Sequence, residues 1–560
     1  MALPRLSAQT STRSRQEFPG VVSRLVRMAR LKKAAPSEPV PAASEDTANA
    51  ETPKLGRGGP MENAERIFGI DVRSLALFRI CLALLMIGDL LYRAQDLQVH
   101  YTDAGVVPLV VVSLYQQQHW WWSLHSLHPS LPLEIAMFLI AGLFALSLLV
   151  GYRTRTASVV CWLLLISLQN RNVLVLTGGD TMLRVMAFWA MFLPLGVRWS
   201  VDRALDKTGA PMPKRIFSVG SVALIAQIAM VYVFGAMLKT GPTWRTDYTA
   251  IYYSLSIGQF ATPLAKFLLH YPNLLKPLTF FSWNLELFAP FLIVASAYSG
   301  RLRTLLVLVY MGFHIALGQC LELGLFPTIG ALTWLVLMPD WFWQRLFQLA
   351  ARLPKRAEKP AFLSALSARW TVWRESLHPQ SVSVHTSRAA QCLAVFYLVY
   401  VLCWNVRTLN FNQHVRWFPQ SWNWVGEITR MDQSWELFAP DPMKSEGWLV
   451  VEGELQDGEH VDLKNQTATL SDAPPPLIST TYYNERWRKY LMNIADGYQD
   501  QCFIYASYLG NLWNTTHPSE QSVTKVTIKL MRTMTTLPNE PKAKVETVEL
   551  FSQQFTPEAH

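Results

Sequence analysis

The residues of this chain that could do chemistry are the ionisable ones set inside apolar stretches. Arg79 and Asp89 share one stretch, and Asp180 and Arg184 open another. Lys239 ends a third, Glu286 lies in a fourth, and His314, Gln319 and Glu322 lie in a fifth. A charge at the centre of a membrane helix costs about 2.5–3.5 kcal/mol on insertion scales, so such residues are kept for pairing or for function. Lys239 closes the apolar run that starts at Ile225, and Gly235, one turn earlier, leaves room for a backbone or a flat ligand. A lysine held among apolar groups is biased towards its neutral form and can then act as a base. The alternative is a snorkelling lysine that marks a helix end. His314, mid-stretch, either bonds a neighbouring helix or takes part in proton transfer. Asp180 and Arg184, four residues apart, are expected to pair with each other, and Glu286 and Glu322 with Arg79 or Arg184.

The elements that position these residues are membrane helices. Half of the 560 residues are apolar and 16% are charged. The apolar residues come in blocks of about 17–22, the length that crosses ~30 Å of hydrocarbon. The reading is a polytopic α-helical membrane protein with about nine spans, near 74–93, 131–151, 157–176, 182–197, 218–238, 276–298, 304–322, 326–339 and 389–406. The fourth and eighth are short. Loops after even-numbered spans carry the basic residues: Arg153 and Arg155; Arg198, Arg203, Lys207, Lys214 and Arg215; Arg301 and Arg303; then a run from Arg345 to Arg388. Loop 94–130 has no Lys or Arg. The positive-inside rule then puts the N-terminus in the cytoplasm and, with nine spans, residues 410–560 outside, in a plasma or inner membrane. The net charge of +10 is distributed as a membrane-topology signal rather than a phosphate-tracking face, which argues against nucleic acid as a partner.

Residues 1–60 are basic, then rich in Ala, Pro, Ser and Glu, and read as a disordered extension without a signal-peptide core. Met61 is an alternative start. Residues 341–388 read as a basic cytoplasmic segment. From about 410 the pattern changes to that of a soluble α+β or β-sandwich-like domain. Gly447–Leu455 and Val461–Leu463 flank an Asp457-Gly458 turn, as in a hairpin. Residues 522–532 alternate with period two, 543–552 read as another strand, and 484–510 as one or two helices. Trp404, Trp417, Trp422, Trp424 and Trp435 suit docking at a membrane surface.

In loop 94–130, His119, His125 and His128 surround Trp120, Trp121 and Trp122. The tryptophans suggest a helix in the headgroup layer rather than a metal site. The six cysteines are scattered without metal or disulfide spacing, so no metal is expected.

Several stretches resemble a known family. Asp71-Val72-Arg73-Ser74-Leu75-Ala76-Leu77-Phe78-Arg79, His100-Tyr101-Thr102-Asp103-Ala104-Gly105-Val106, Asn170-Arg171-Asn172 with Gly178-Gly179-Asp180, and Trp199-Ser200-Val201-Asp202 are similar to bacterial HTTM (horizontally transferred transmembrane) proteins. The resemblance covers about 65–340 and extends through Trp435-Glu436-Leu437-Phe438-Ala439-Pro440 and Arg486-Trp487-Arg488-Lys489-Tyr490. That family includes the vitamin K-dependent gamma-glutamyl carboxylase, which deprotonates a quinol and uses the product to take a glutamate γ-proton before CO2 adds. The resemblance implies Lys239 as the base and His314 as a matching histidine in a late span. It also shows a departure: the carboxylase's carbanion-stabilising histidine falls at about Gly178-Gly179, where this chain has none.

The first expectation is therefore a quinone-linked membrane enzyme with Lys239 as base and His314 shaping the pocket, and glutamate carboxylation doubtful. The alternative is a non-catalytic assembly or maturation factor that holds a secreted protein or peptide. A transporter is a third reading, against which stand the lack of an inverted repeat and of a Pro-broken pair of spans.

Overall fold

The computed structural model describes residues 59–117, 119–208, 211–352, 382–384, 386–409 and 418–554. The basic extension up to residue 58, most of the segment 341–388, and Trp417 lie outside the described residues.

In chain order the principal helices are α1 (Val72–Ala94), α2 (Leu131–Val150), α3 (Thr154–Arg171), α4 (Gly178–Ala190), α5 (Val219–Leu238), α6 (Pro272–Leu287), α7 (Ala289–Ser296), α8 (Gly300–Cys320), α9 (Phe326–Thr333) and α10 (Arg388–Thr408). Helices α1, α2, α5, α8 and α10 are each long and apolar enough to cross a membrane, and α6 with α7 makes a sixth if that bent pair is one span. The expectation of about nine spans is thus met by five or six. The other three apolar blocks fall short for identifiable reasons. Helix α3 ends in Gln169, Asn170 and Arg171, all buried. Helix α4 has 13 residues, a rise of about 20 Å, and protein encloses it along Met182–Ala190. Helix α9 has 8 residues before a single 3-10 turn over Trp334–Leu337.

Local signals explain where these helices begin. The Asp71 side chain accepts from Arg73 N and caps α1, and Ser218 with Ser221 forms a capping box on α5. Thr177 and Asp180 do the same for α4. Helix α2 leaves Leu139, Leu143, Leu146 and Val150 exposed, as a lipid-facing helix would.

The C-terminal region is α+β. Strands β1 (Ser445–Leu455), β2 (His460–Asp462), β3 (Val523–Met534) and β4 (Glu546–Gln554) form one antiparallel sheet in the order β2-β1-β3-β4, with α11 (Glu485–Ala495) and α12 (Gln499–Thr516) between β2 and β3 in sequence. The expected hairpin is present, with Glu454 opposite His460 and Gly458 at φ +83° in its turn. One face of the sheet, with Leu449, Val451, Val526 and Ile528, packs with Tyr490, Tyr505 and Leu509 of the two helices. Helices fill the place that a second sheet would take in a sandwich. The same core includes Val106, Val107, Leu174 and Val175 from the loops between membrane helices.

Candidate functional site

Helix α5 stops at Leu238 because Pro242 cannot continue it, and Lys239 becomes its C-cap. The chain that follows is gripped by residues 438–441. Gly241 N donates to Pro440 O at 3.1 Å, Thr243 N to Asp441 Oδ1 at 3.1 Å, and Trp244 Nε1 to Phe438 O at 2.9 Å. Glycine at 241 leaves room for the Asp441 carboxylate, which a Cβ there would displace. Lys239 is buried, its amine ion-paired with Glu286 and 4.6 Å from the centre of the Trp244 ring. The amine therefore has a carboxylate and an aromatic face as neighbours, whereas the sequence reading expected hydrocarbon alone. Glu286 was expected to pair with Arg79 or Arg184. Arg79 instead donates to backbone oxygens of Leu195 and Trp199, and Arg184 to those of Arg430 and Asp432.

Glu286 occupies the last turn before a break. Helices α6 and α7 meet at 65° around Phe288, where Pro290 supplies no N–H to the preceding turn. The Leu285 carbonyl accepts from Tyr310 Oη at 2.6 Å. The single span expected at 276–298 is thus bent into two helices.

His314 lies in α8 with Nε2 2.7 Å from Tyr232 Oη of α5. Trp334 Nε1, which can only donate, also reaches Tyr232 Oη, at 2.6 Å. The arrangement that leaves fewest buried polar groups unpaired has Tyr232 donating to Nε2, which puts the His314 proton on Nδ1. Nδ1 has no hydrogen-bond partner. It lies against Gly330, where a Cβ would collide with the imidazole. Tyr310 stacks on Trp334 at 3.8 Å between ring centres and meets Tyr232 edge-on at 5.0 Å. Tyr310 thereby connects the two residues picked from sequence: its hydroxyl bonds the residue before Glu286, and its ring touches the partner of His314. Tyr232, Tyr310 and Trp334 carried no signal in the sequence, since aromatic residues in apolar spans read as ordinary core.

A second charged cluster ties the C-terminal region to the helices. Arg486 of α11 donates to Asp180 Oδ2 at 2.5 Å and to Asp89 Oδ1 at 2.8 Å. Arg93 bonds Asp89 Oδ2 at 2.8 Å, pairs with Asp180 and donates to Tyr101 Oη at 2.6 Å. All four charged side chains are at most 4% exposed. Asp180 thus pairs with Arg93 and Arg486 and not with Arg184, because Arg184 points to the backbone of residues 430–432. All six cysteines are unpaired, so ion pairs hold this junction without disulfides.

Gly178 and Gly179 are packed closed. A Cβ on Gly178 would lie 3.1 Å from Leu437, and one on Gly179 3.1 Å from Phe326 N. The tryptophan run is not helical. Trp122 Nε1 bonds Ile428 O at 2.9 Å, and His119 contacts Glu427 at 3.2 Å. Glu322 is exposed. Among the described residues no group of three or more His, Cys, Asp or Glu could hold a metal ion.

Neither the curated proteins nor the solved structures yield a match to this chain. The family model described as the HTTM domain matches residues 69–341, the stretch that contains Lys239, Glu286 and His314. With five apolar helices of membrane-crossing length, the chain is an integral membrane protein whose residues 69–341 match the HTTM domain.

Proposed function

We propose that this chain is a quinol-linked membrane enzyme of the kind suggested by the likeness to the gamma-carboxylase, with proton transfer at the Lys239–Glu286 pair. The observation that carries the reading is a buried ion pair in the last turn before a broken membrane helix. Intramembrane ionisable pairs and broken helices both mark working sites, because each is costly in hydrocarbon. Glu286 is the more accessible partner, at 13% against 5% for Lys239. In this reading Glu286 accepts a hydroxyl proton, and the Lys239 ammonium balances the negative charge left behind. A quinol, when bound, would supply the redox chemistry. The Gly235 face is covered by Trp435, whose carbonyl lies 3.6 Å from where a Cβ would stand. A flat ligand would therefore approach from the α6–α7 side, where Phe281, Phe288 and Phe291 are exposed. His314 acts through Tyr232 to shape this region. Glutamate carboxylation lacks its carbanion-stabilising histidine, and Gly178 and Gly179 there are closely packed by Leu437 and Phe326. The charge distribution among loops supports a cytoplasmic N-terminus and an external C-terminal region.

The test is quinol oxidation by the purified protein in liposomes. Lys239→Ala and Glu286→Gln should each abolish it while the protein still inserts. Unchanged oxidation in Lys239→Ala would remove the enzyme reading. The second reading is then a non-catalytic assembly or maturation factor that holds a secreted protein or peptide. It is favoured by the fact that Lys239 and Glu286 satisfy each other without a substrate. Co-purification of one stoichiometric secreted partner would support it.

A further inference from the structure

We propose a second ligand site, for an uncharged lipid alcohol, in the cleft between α1, α2 and α3. The inference is independent of the reading given to Lys239. The cleft is walled by Met86 and Leu90 of α1, Phe138 and Ala145 of α2, and Cys161 and Leu165 of α3. Its enclosed part has a volume of about 20 Å³, and the rest is open to the surroundings. One small polar atom thus fits, and the open side leaves a path for an attached apolar chain. Two polar residues, Asp89 and His125, face it. Both oxygens of Asp89 are already bonded, by Arg486 and Arg93. That leaves His125.

His125 is 2% exposed, and its Nδ1 lies 2.6 Å from Oε2 of the fully buried Glu134. A carboxylate only accepts, so Nδ1 carries a proton and Glu134 fixes the ring. Nε2 has no protein partner among the described residues. A hydroxyl satisfies Nε2 in either protonation state, donating to the bare nitrogen or accepting from its N–H. Charged heads do not fit. An anion would meet Glu134 and Asp89, while Arg93 and Arg486 are taken up by carboxylates. An ammonium would find both Asp89 oxygens already bonded, and Glu134, whose Oε1 is unpartnered, is not among the residues that line the cleft. Leu90 and Ala141 are the partly exposed lining residues, and their neighbours Leu91 and Ile140 are exposed apolar side chains. The mouth therefore opens on hydrocarbon, from which such a ligand would partition.

The test uses the full chain in detergent and a long-chain alcohol bearing a diazirine. The expected result is saturable labelling of residues in α1–α3, displaced by dodecanol at concentrations about tenfold below those needed with dodecanoate, a difference of roughly 1.4 kcal/mol. His125→Phe should cut labelling about fivefold or more, roughly 1 kcal/mol. Ala141→Phe, which blocks the mouth without entering the core, should do the same with unfolding temperature unchanged. Labelling that does not saturate, that survives Ala141→Phe, or that dodecanoate displaces equally well would overturn the proposal.

Discussion

Replacing Arg486 with methionine should undock α11 from the helical domain. The guanidinium donates to Asp180 at 2.5 Å, Asp89 at 2.8 Å and the Val175 carbonyl at 3.0 Å. Together with Arg93 it balances two carboxylates that are 1–2% exposed. Removing it leaves one buried negative charge without a counterion, which costs about 3–5 kcal/mol. Adding its three hydrogen bonds at about 1.5–3 kcal/mol each would give more, but bonds in one network do not add. The lower range is therefore the expectation, a factor of roughly 10² to 10³ or more in the docking equilibrium. Arg486→Met with Asp180→Asn leaves Asp89 and Arg93 as a balanced pair, so the double variant should lose about half as much or less. Hydrogen exchange of the 485–495 amides and thermal unfolding of the full chain in detergent read both effects. Arg532→Met is the control: its pair with Glu546 is exposed on both sides and is worth under about 1 kcal/mol. The reasoning fails if Arg486→Met behaves like the control, or if adding Asp180→Asn makes it no milder.

Lys239→Met should destabilise by about 3 kcal/mol by leaving Glu286 unpaired, whereas Lys239→Met with Glu286→Gln should recover most of that loss. Additive losses in the unfolding cycle would contradict the pairing. Tyr232→Phe removes the acceptor of Trp334 and the partner of His314, at a cost of about 1–3 kcal/mol in detergent melts. Gly330→Ala should cost at least as much, because its methyl group meets the buried imidazole; a stability unchanged from wild type would show that His314 has room to move. In the C-terminal sheet region, burial pushes the Lys464 amine down to about 8, partly offset by Asp462. The folded state then resists the proton that the unfolded chain keeps up to about 10.4, so stability should rise between pH 8 and pH 10. Lys464→Met should remove that rise and stabilise the protein by roughly 2–3 kcal/mol at pH 7, as read by melts at both pH values.

Membrane residence was legible in the chain, because hydrocarbon requires long apolar runs and confines Lys and Arg to loops. The runs 74–93, 131–151, 218–238 and 389–406 correspond to α1, α2, α5 and α10 within a few residues. Runs such as 182–197 form helices too short to meet the length of a span on their own. A helix buried by protein and one buried by lipid have the same composition, and α4 is of the first kind. The hairpin at Asp457-Gly458 was legible because its turn chemistry is local. Lys239 and His314 stood out as polar residues in apolar company, but their partners did not.

What the sequence determined on its own was local or compositional: the long apolar runs, the Asp-Gly turn, and the cost that makes each intramembrane charge noteworthy. Pairing was decided by the tertiary structure. Asp180 is four residues from Arg184 yet bonds Arg93 and Arg486, and Lys239 meets Glu286 across 47 positions of chain. Neighbours along a helix offer contact at the surface, whereas a buried charge takes whichever opposite charge the packing of other helices brings within bonding distance.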